Sequence, residues 1–151
     1  MNWINEMRLD FPARSENEAF ARLVVSGFLL PLDPTLEELA DVKTAVSEAV
    51  TNAIIHGYAE RTGSVRLEAR YSAEGMVQIE VMDSGRGIED VERARQPFFT
   101  TSTDEERSGM GFTVMESFMD HVAVHSLPGR GTTVRLSKRI CPRDEALPRR
   151  A

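Results

Sequence analysis

Glu48 and Asn52 stand four residues apart in Val46-Ser-Glu-Ala-Val-Thr-Asn-Ala-Ile-Ile-His-Gly57. At the helical period Val46, Ala49, Val50, Ala53 and Ile54 form one apolar stripe, and the carboxylate and the amide project together from a second face. From Ala45 to Ile55 that carboxylate is the only charge, and its neighbours are small, so the second face is expected to be covered as well. A covered carboxylate needs a partner. An amide oxygen is a hard neutral ligand suited to Mg²⁺, and a Glu one turn away can take a proton from a nucleophile beside the metal. The same spacing also fits an ordinary helix surface, so the pair needs support from elsewhere in the chain.

Three further stretches supply it. Asp83-Ser84-Gly85-Arg86-Gly87-Ile88 follows a strand pattern and sets an acid at the strand end, with glycines that let the backbone approach a flat ligand. An ionised Asp there accepts from an exocyclic amine, as adenine offers; the bland alternative is an Asp-Gly turn. Ser108-Gly109-Met110-Gly111-Phe112 runs into a helix, where backbone N–H groups and the positive helix end suit phosphates, although a lone Gly-x-Gly is common. Gly129-Arg130-Gly131-Thr132-Thr133 is a turn into a strand, where a threonine hydroxyl can complete the bonding around a base or merely end a hairpin. No Gly-x-x-x-x-Gly-Lys-Ser/Thr loop occurs, and the lysines are Lys43 and Lys138, which excludes a P-loop enzyme. Positive charge for a terminal phosphate must then come from a metal and an arginine; Arg107, beside the Gly-x-Gly, is the candidate, unless it is a solvated loop residue.

The elements that must position these groups are legible in outline. Glu6 to Phe11 alternates as a first strand ended by Pro12, a pattern that suits an edge strand. Ser15 with Glu18 reads as a capping box opening a helix whose stripe is Ala19, Leu23, Val24, Gly27 and Phe28, with Glu18 and Arg22 on its other face. Thr35 with Glu38 opens a second helix of about twenty residues through Glu48 and Asn52 to Gly57. Val65 to Tyr71 and Val77 to Val81 alternate around Ser72-Ala-Glu-Gly75 as a β-hairpin. A short helix at Val91 to Ala94, a helix from Phe112 to Met119, a strand from His121 to Ser126, a turn at Pro128 to Gly131 and a last strand from Thr133 to Lys138 follow. The segment 102–111 reads as polar and mobile. The predicted fold is α+β, a two-layer sandwich with a mixed sheet and three main helices on one face.

The chain's 151 residues, 41% of them hydrophobic, and its net charge of -6 fit one soluble domain, placed at 1–139, with 140–151 as a loose tail. The acidic balance argues against nucleic acid as the main partner, and no apolar run approaches the ~20 residues that span a bilayer. The opening lacks the pattern of a signal peptide, and the single cysteine, Cys141, agrees with a reducing compartment, so the expected location is the cytoplasm. His121 and His125 share one side of a strand with no acid or cysteine ligand between them, which argues against zinc.

The order of the four motifs resembles that of the ATPase superfamily that includes gyrase, histidine kinases and MutL, whose ATP-binding domain has the Bergerat-type fold. The runs 47–57, Ala94-Arg-Gln-Pro-Phe-Phe-Thr-Thr101 and Glu106-Arg-Ser-Gly-Met-Gly-Phe-Thr-Val-Met-Glu116 look like those of the anti-sigma F factors, the anti-sigma factors and serine protein kinases of sporulating bacilli. The resemblance covers roughly residues 5 to 138. It implies that Glu48 is the general base toward the serine of a protein substrate, that Asn52 ligates Mg²⁺, and that Asp83 binds the adenine amine in a pocket shaped by Gly85, Gly87 and Ile88 and supported by Thr132. It implies a lid of Ser108, Gly109, Met110 and Gly111 around the phosphates, Arg107 at the γ-phosphate, and Thr100 and Thr101 among the nucleotide contacts. His56 completes the first motif or simply packs the helix end. A sigma factor, an anti-anti-sigma antagonist as substrate and a homodimer are the implied partners, with ATP or ADP and Mg²⁺ as ligands. The first strand and helix would supply the dimer contact, and Glu18 and Arg22 are candidates for partner contact or a solvated face. Alternatives are a general-stress anti-sigma kinase with the same motifs, and a nucleotide-switched binding module with little turnover.

Overall fold

The computed structural model describes residues 1–57, 63–96 and 111–141. Five strands, β1 (Trp3–Pro12), β2 (Ser64–Ser72), β3 (Met76–Asp83), β4 (His121–Leu127) and β5 (Gly131–Arg139), form one sheet in the order β1-β2-β3-β5-β4. All four neighbouring pairs are antiparallel. The mixed character expected from the sequence survives only in strand direction. The crossover from β3 sets β4 running the same way, but the tight hairpin folds β5 back between them, so no parallel pair forms. β1 is an edge strand, where Pro12, lacking an N–H, is tolerated.

Strand alternation decides which face holds the core. Val65, Leu67, Val77, Ile79, Val81, Val134 and Leu136 are buried, while Glu6, Arg8, Glu68, Arg70, Glu80 and Arg135 lie on the other side. That open face carries ion pairs between neighbouring strands, Arg8 with Glu68 and Arg135 with Glu80. The helices cover the apolar face: α1 (Asn17–Leu29), α2 (Leu36–Asn52) and α4 (Gly111–Phe118), with α2 packed between the other two, and α3 (Val91–Ala94) as a single turn.

α2 starts as its sequence predicts. Glu38 N–H donates to Thr35 Oγ1 (3.0 Å) and Thr35 N–H donates back to Glu38 Oε1 (2.9 Å), satisfying two donors of the first turn. The expected box at Ser15 and Glu18 does not form. Glu16 occupies the cap position without a side-chain cap bond, and Asn17 Nδ2 reaches back to the Pro12 carbonyl (2.9 Å), so the chain leaving β1 fixes the start of α1 instead. The buried stripe of α1 differs in part from the expected one: Ala21, Val25 and Leu29 face the core, Leu23 is 69% exposed and Ala19 and Gly27 are exposed, while of the expected residues Val24 is half-buried and Phe28 packs against the core beside Tyr71. This helix is apolar on two sides, and periodicity alone does not say which side meets the sheet.

The domain extends past Lys138. Ile140 is buried, its N–H donates to the Gly75 carbonyl (2.8 Å), and Cys141 N–H donates to Glu38 Oε2 (3.1 Å). The loose tail therefore cannot begin at 140, because an apolar side chain at the end of β5 completes the core beside the β2–β3 turn. The rest of the expected tail lies outside the described residues.

Candidate functional site

The last turn of α2 and the π-helical turn after it, Ala53–Gly57, pack toward β3 and β5. This carries Glu48 and Asn52, both half-buried, to the start of α4. A Cβ built on Gly111 would stand 3.1 Å from Asn52 Nδ2, 3.3 Å from Asn52 Oδ1 and 3.4 Å from Glu48 Oε2. Two motifs separated by about sixty residues of chain thus meet at one glycine, where a side chain would press against the amide and the carboxylate. The donor set fits a small hard cation: a neutral oxygen and a carboxylate at a helix end.

A second cluster forms where β3, β5 and β4 end together. Asp83 is directly opposite Thr132, and Thr132 is directly opposite Ser126, so the three side chains form one row on the helix-facing side of the sheet. Val81, Val134 and Val124 are the preceding residues of that same face, and the row is its polar continuation. Asp83 Oδ1 accepts from Gly85 N–H (2.9 Å), and the carboxylate also accepts the backbone N–H of Thr132. Burial pushes the Asp83 carboxyl above the ordinary carboxylate range, and those two hydrogen bonds oppose the rise. A half-buried acid held by backbone donors is organised to accept from a ligand.

The glycines are required by geometry at two points. Gly87 has φ +73° and Gly131 φ +108°; a Cβ on Gly87 would overlap the Leu127 carbonyl oxygen, and one on Gly131 the Asp83 carbonyl oxygen. Close approach of the β3–α3 loop to the β4–β5 hairpin depends on both. The loop is pinned further by Ile88 N–H, which donates to Ser126 Oγ (2.7 Å), and by Gly129 N–H, which donates to the Arg86 carbonyl (2.7 Å).

Of the residues singled out in the sequence, Glu48, Asn52 and Gly111 therefore meet in one group, and Asp83, Gly85, Gly87, Ile88 and Thr132 in the other. His56 belongs to the π-helical turn by its backbone. Thr100, Thr101, Arg107, Ser108, Gly109 and Met110 lie outside the described residues. Glu18 and Arg22 pair with each other on α1 (3.7 Å), one helical turn apart, rather than with either group. Ser126 was not singled out, yet its hydroxyl touches three groups of the second cluster. The signal was present, since a turn at Pro128 to Gly131 sets residue 126 against 132.

Residues 11–138 match the family model described as a histidine kinase-like ATPase domain. Among individual proteins, the chain is 56% identical to an anti-sigma F factor of a Thermoanaerobacter species over 140 residues, covering 93% of this chain and 97% of that relative. The anti-sigma F factor of Bacillus subtilis is 54% identical, with 90% and 93% covered. The chain belongs to the anti-sigma F factor family. Among solved structures, the RsbU and RsbW domains of a Mycobacterium tuberculosis protein align with TM-score 0.66 at 22% identity, over 90% of this chain and 32% of that one. The nucleotide-free catalytic domain of the histidine kinase ThkA aligns with TM-score 0.57 at 16% identity, over 92% and 99%. These two show the α+β ATPase fold that the family shares. Among the described residues no helix is long and apolar enough to cross a membrane.

Proposed function

We propose that this chain is an ATP-dependent serine protein kinase and an anti-sigma factor, which binds a sporulation sigma factor and phosphorylates an anti-anti-sigma antagonist on serine. The observation that carries the reading is the meeting of Gly111 with Glu48 and Asn52 in a domain whose sheet end holds Asp83 and Thr132. Asp83 accepts the adenine amine, beside Gly85, Gly87, Ile88 and Thr132. Asn52 would hold Mg²⁺, and the ion when bound neutralises charge on the phosphates. Glu48 takes the proton of the attacking serine, and Arg107, from the segment before Gly111, reaches the γ-phosphate, with Thr100, Thr101 and the Ser108 to Met110 run around the nucleotide. The names of the relatives support a sigma factor as partner, and an exposed apolar strip on α1, including Phe20 and Leu23, supports a homodimer.

The test is Glu48→Gln, with ATP binding by calorimetry and transfer of labelled phosphate to a candidate antagonist protein measured on the same sample. Retained ATP binding with transfer reduced by about 10²-fold or more is expected for a lost general base. Undiminished transfer removes Glu48 from that role. A wild-type protein that takes up ATP and a sigma factor but transfers nothing is a nucleotide-switched binding module.

A further inference from the structure

The Ser126 hydroxyl has three partners within hydrogen-bond reach: Ile88 N–H at 2.7 Å, Thr132 Oγ1 at 2.8 Å and the Gly131 carbonyl oxygen at 3.1 Å. A serine hydroxyl carries one hydrogen and two acceptor positions. Ile88 N–H can only donate, so it occupies one acceptor position. The Gly131 carbonyl can only accept, so it receives the Ser126 hydrogen. The Thr132 contact is then satisfied only if Thr132 donates its own hydroxyl hydrogen to the remaining position on Ser126. One assignment meets all three contacts, and in it Thr132 has no hydrogen left for any other group.

From this geometry we propose that Ser126 is a specificity-determining residue of the nucleotide site: by consuming the Thr132 proton it makes the base pocket an acceptor-only surface. This rests on the reading of the second cluster as the adenine site. Asp83 lies next to Thr132 in the row and is already engaged as an acceptor from Gly85 and Thr132 N–H groups. The two side chains together offer lone pairs alone to an incoming ring edge. A purine with a 6-amino group, or a water that donates to the pocket, matches that surface. At position 6 a 6-oxo purine sets an acceptor against acceptors and leaves polar groups of the pocket unpaired there, whereas adenine donates at position 6 and its N1, itself an acceptor, is met by a water that donates to both N1 and the pocket. Ser126 thus selects against the 6-oxo ring without touching it, through the orientation of one hydrogen, while its bond to Ile88 ties the loop after β3 to the hairpin.

Competition binding of ATP and inosine triphosphate, in the presence of Mg²⁺, tests the assignment on wild type, Ser126→Ala, Ser126→Thr and Thr132→Val. The two nucleotides differ at position 6, amino against oxo, and with it at N1, an acceptor in adenine and an N–H in the 6-oxo ring. Alanine at 126 frees the Thr132 hydrogen to donate to a 6-oxo group, so the preference for ATP should shrink about tenfold, the size of one net hydrogen bond. Threonine at 126 keeps a hydroxyl and should keep the preference. An unchanged affinity ratio in Ser126→Ala, even with both nucleotides bound more weakly, overturns the proposal and leaves Ser126 as a tether only. Should the alanine variant fail to fold, Thr132→Val decides: the isosteric side chain has no oxygen, and a wild-type ratio there overturns the proposal equally. A wild-type protein that binds neither nucleotide removes the adenine site itself, a result distinct from a wild type that prefers ATP while the variants leave the ratio unmoved.

Discussion

At the residue scale Asp83 holds the clearest tension among the described residues. Its carboxyl is pushed up by burial although two backbone N–H groups favour the charged form, so ionising it costs more in the folded chain than in water. Between the ordinary carboxylate value and the raised one, the folded state binds more protons than the unfolded state. Stability of the nucleotide-free protein therefore falls as pH rises through that window. An amine donated by adenine favours the ionised form, so ATP binding should release a proton and weaken as pH is lowered into the same window. Calorimetry in two buffers of different ionisation enthalpy reads the released proton; a binding heat independent of buffer contradicts the assignment. Asp83→Asn keeps one oxygen, enough for the Gly85 N–H, but removes the charge. It should weaken ATP by about 1.5 to 3 kcal/mol, the range for hydrogen bonds to charged groups, while melting no earlier than wild type at pH 8.

At the scale of elements, the β4–β5 hairpin matters because it meets the end of β3. Gly129 and Gly131 both have positive φ, yet a Cβ on Gly129 has nothing within 4 Å, while one on Gly131 would overlap the Asp83 carbonyl and the Ser84 backbone. Strain at each should cost about 1 to 3 kcal/mol, and only Gly131→Ala adds a clash that opens the Asp83 and Thr132 register. Urea unfolding should show Gly131→Ala less stable than Gly129→Ala, with ATP binding lost only in the former. Equal effects from the two substitutions would mean that the approach of the hairpin to β3 is unimportant. The same scale explains one error of sequence reading and one success. Thr35 and Glu38 are recognisable because a capping box is local chemistry. The stripe on α1 is not, because Ala21, Val25 and Leu29 compete with Ala19, Leu23 and Gly27 for the same period, and the sheet chooses between them.

For the whole molecule, the informative residue is Ile140. It sits past the last strand, in a segment with no apolar period, and is nonetheless fully buried against the turn at Gly75. Ile140→Ala should cost about 2 to 5 kcal/mol by the cavity it leaves, measured by denaturant unfolding. A loss below half a kcal/mol would return Ile140 to the tail. Glu38 binds the same segment through Cys141 N–H while capping α2, so the end of the sheet and the start of the site-bearing helix share one side chain. Loosening the residues after β5 should therefore reach α2, and through it Glu48 and Asn52.

What the sequence determined by itself was whatever depends on neighbours in the chain: the period-2 strands, the capping box of α2, the glycine turns, and the order of four motifs that marks the family. Those signals are local, and each remains visible without a partner. Tertiary structure decided what depends on residues far apart in sequence. It selected the buried side of α1, drew Ile140 into the core, inserted β5 between two strands that run the same way, and brought Gly111 against Glu48 and Asn52. It also created the Asp83, Thr132 and Ser126 row, since strand register is fixed by the packing of a whole face against the helices, and only that register gives the Ser126 hydroxyl its three partners.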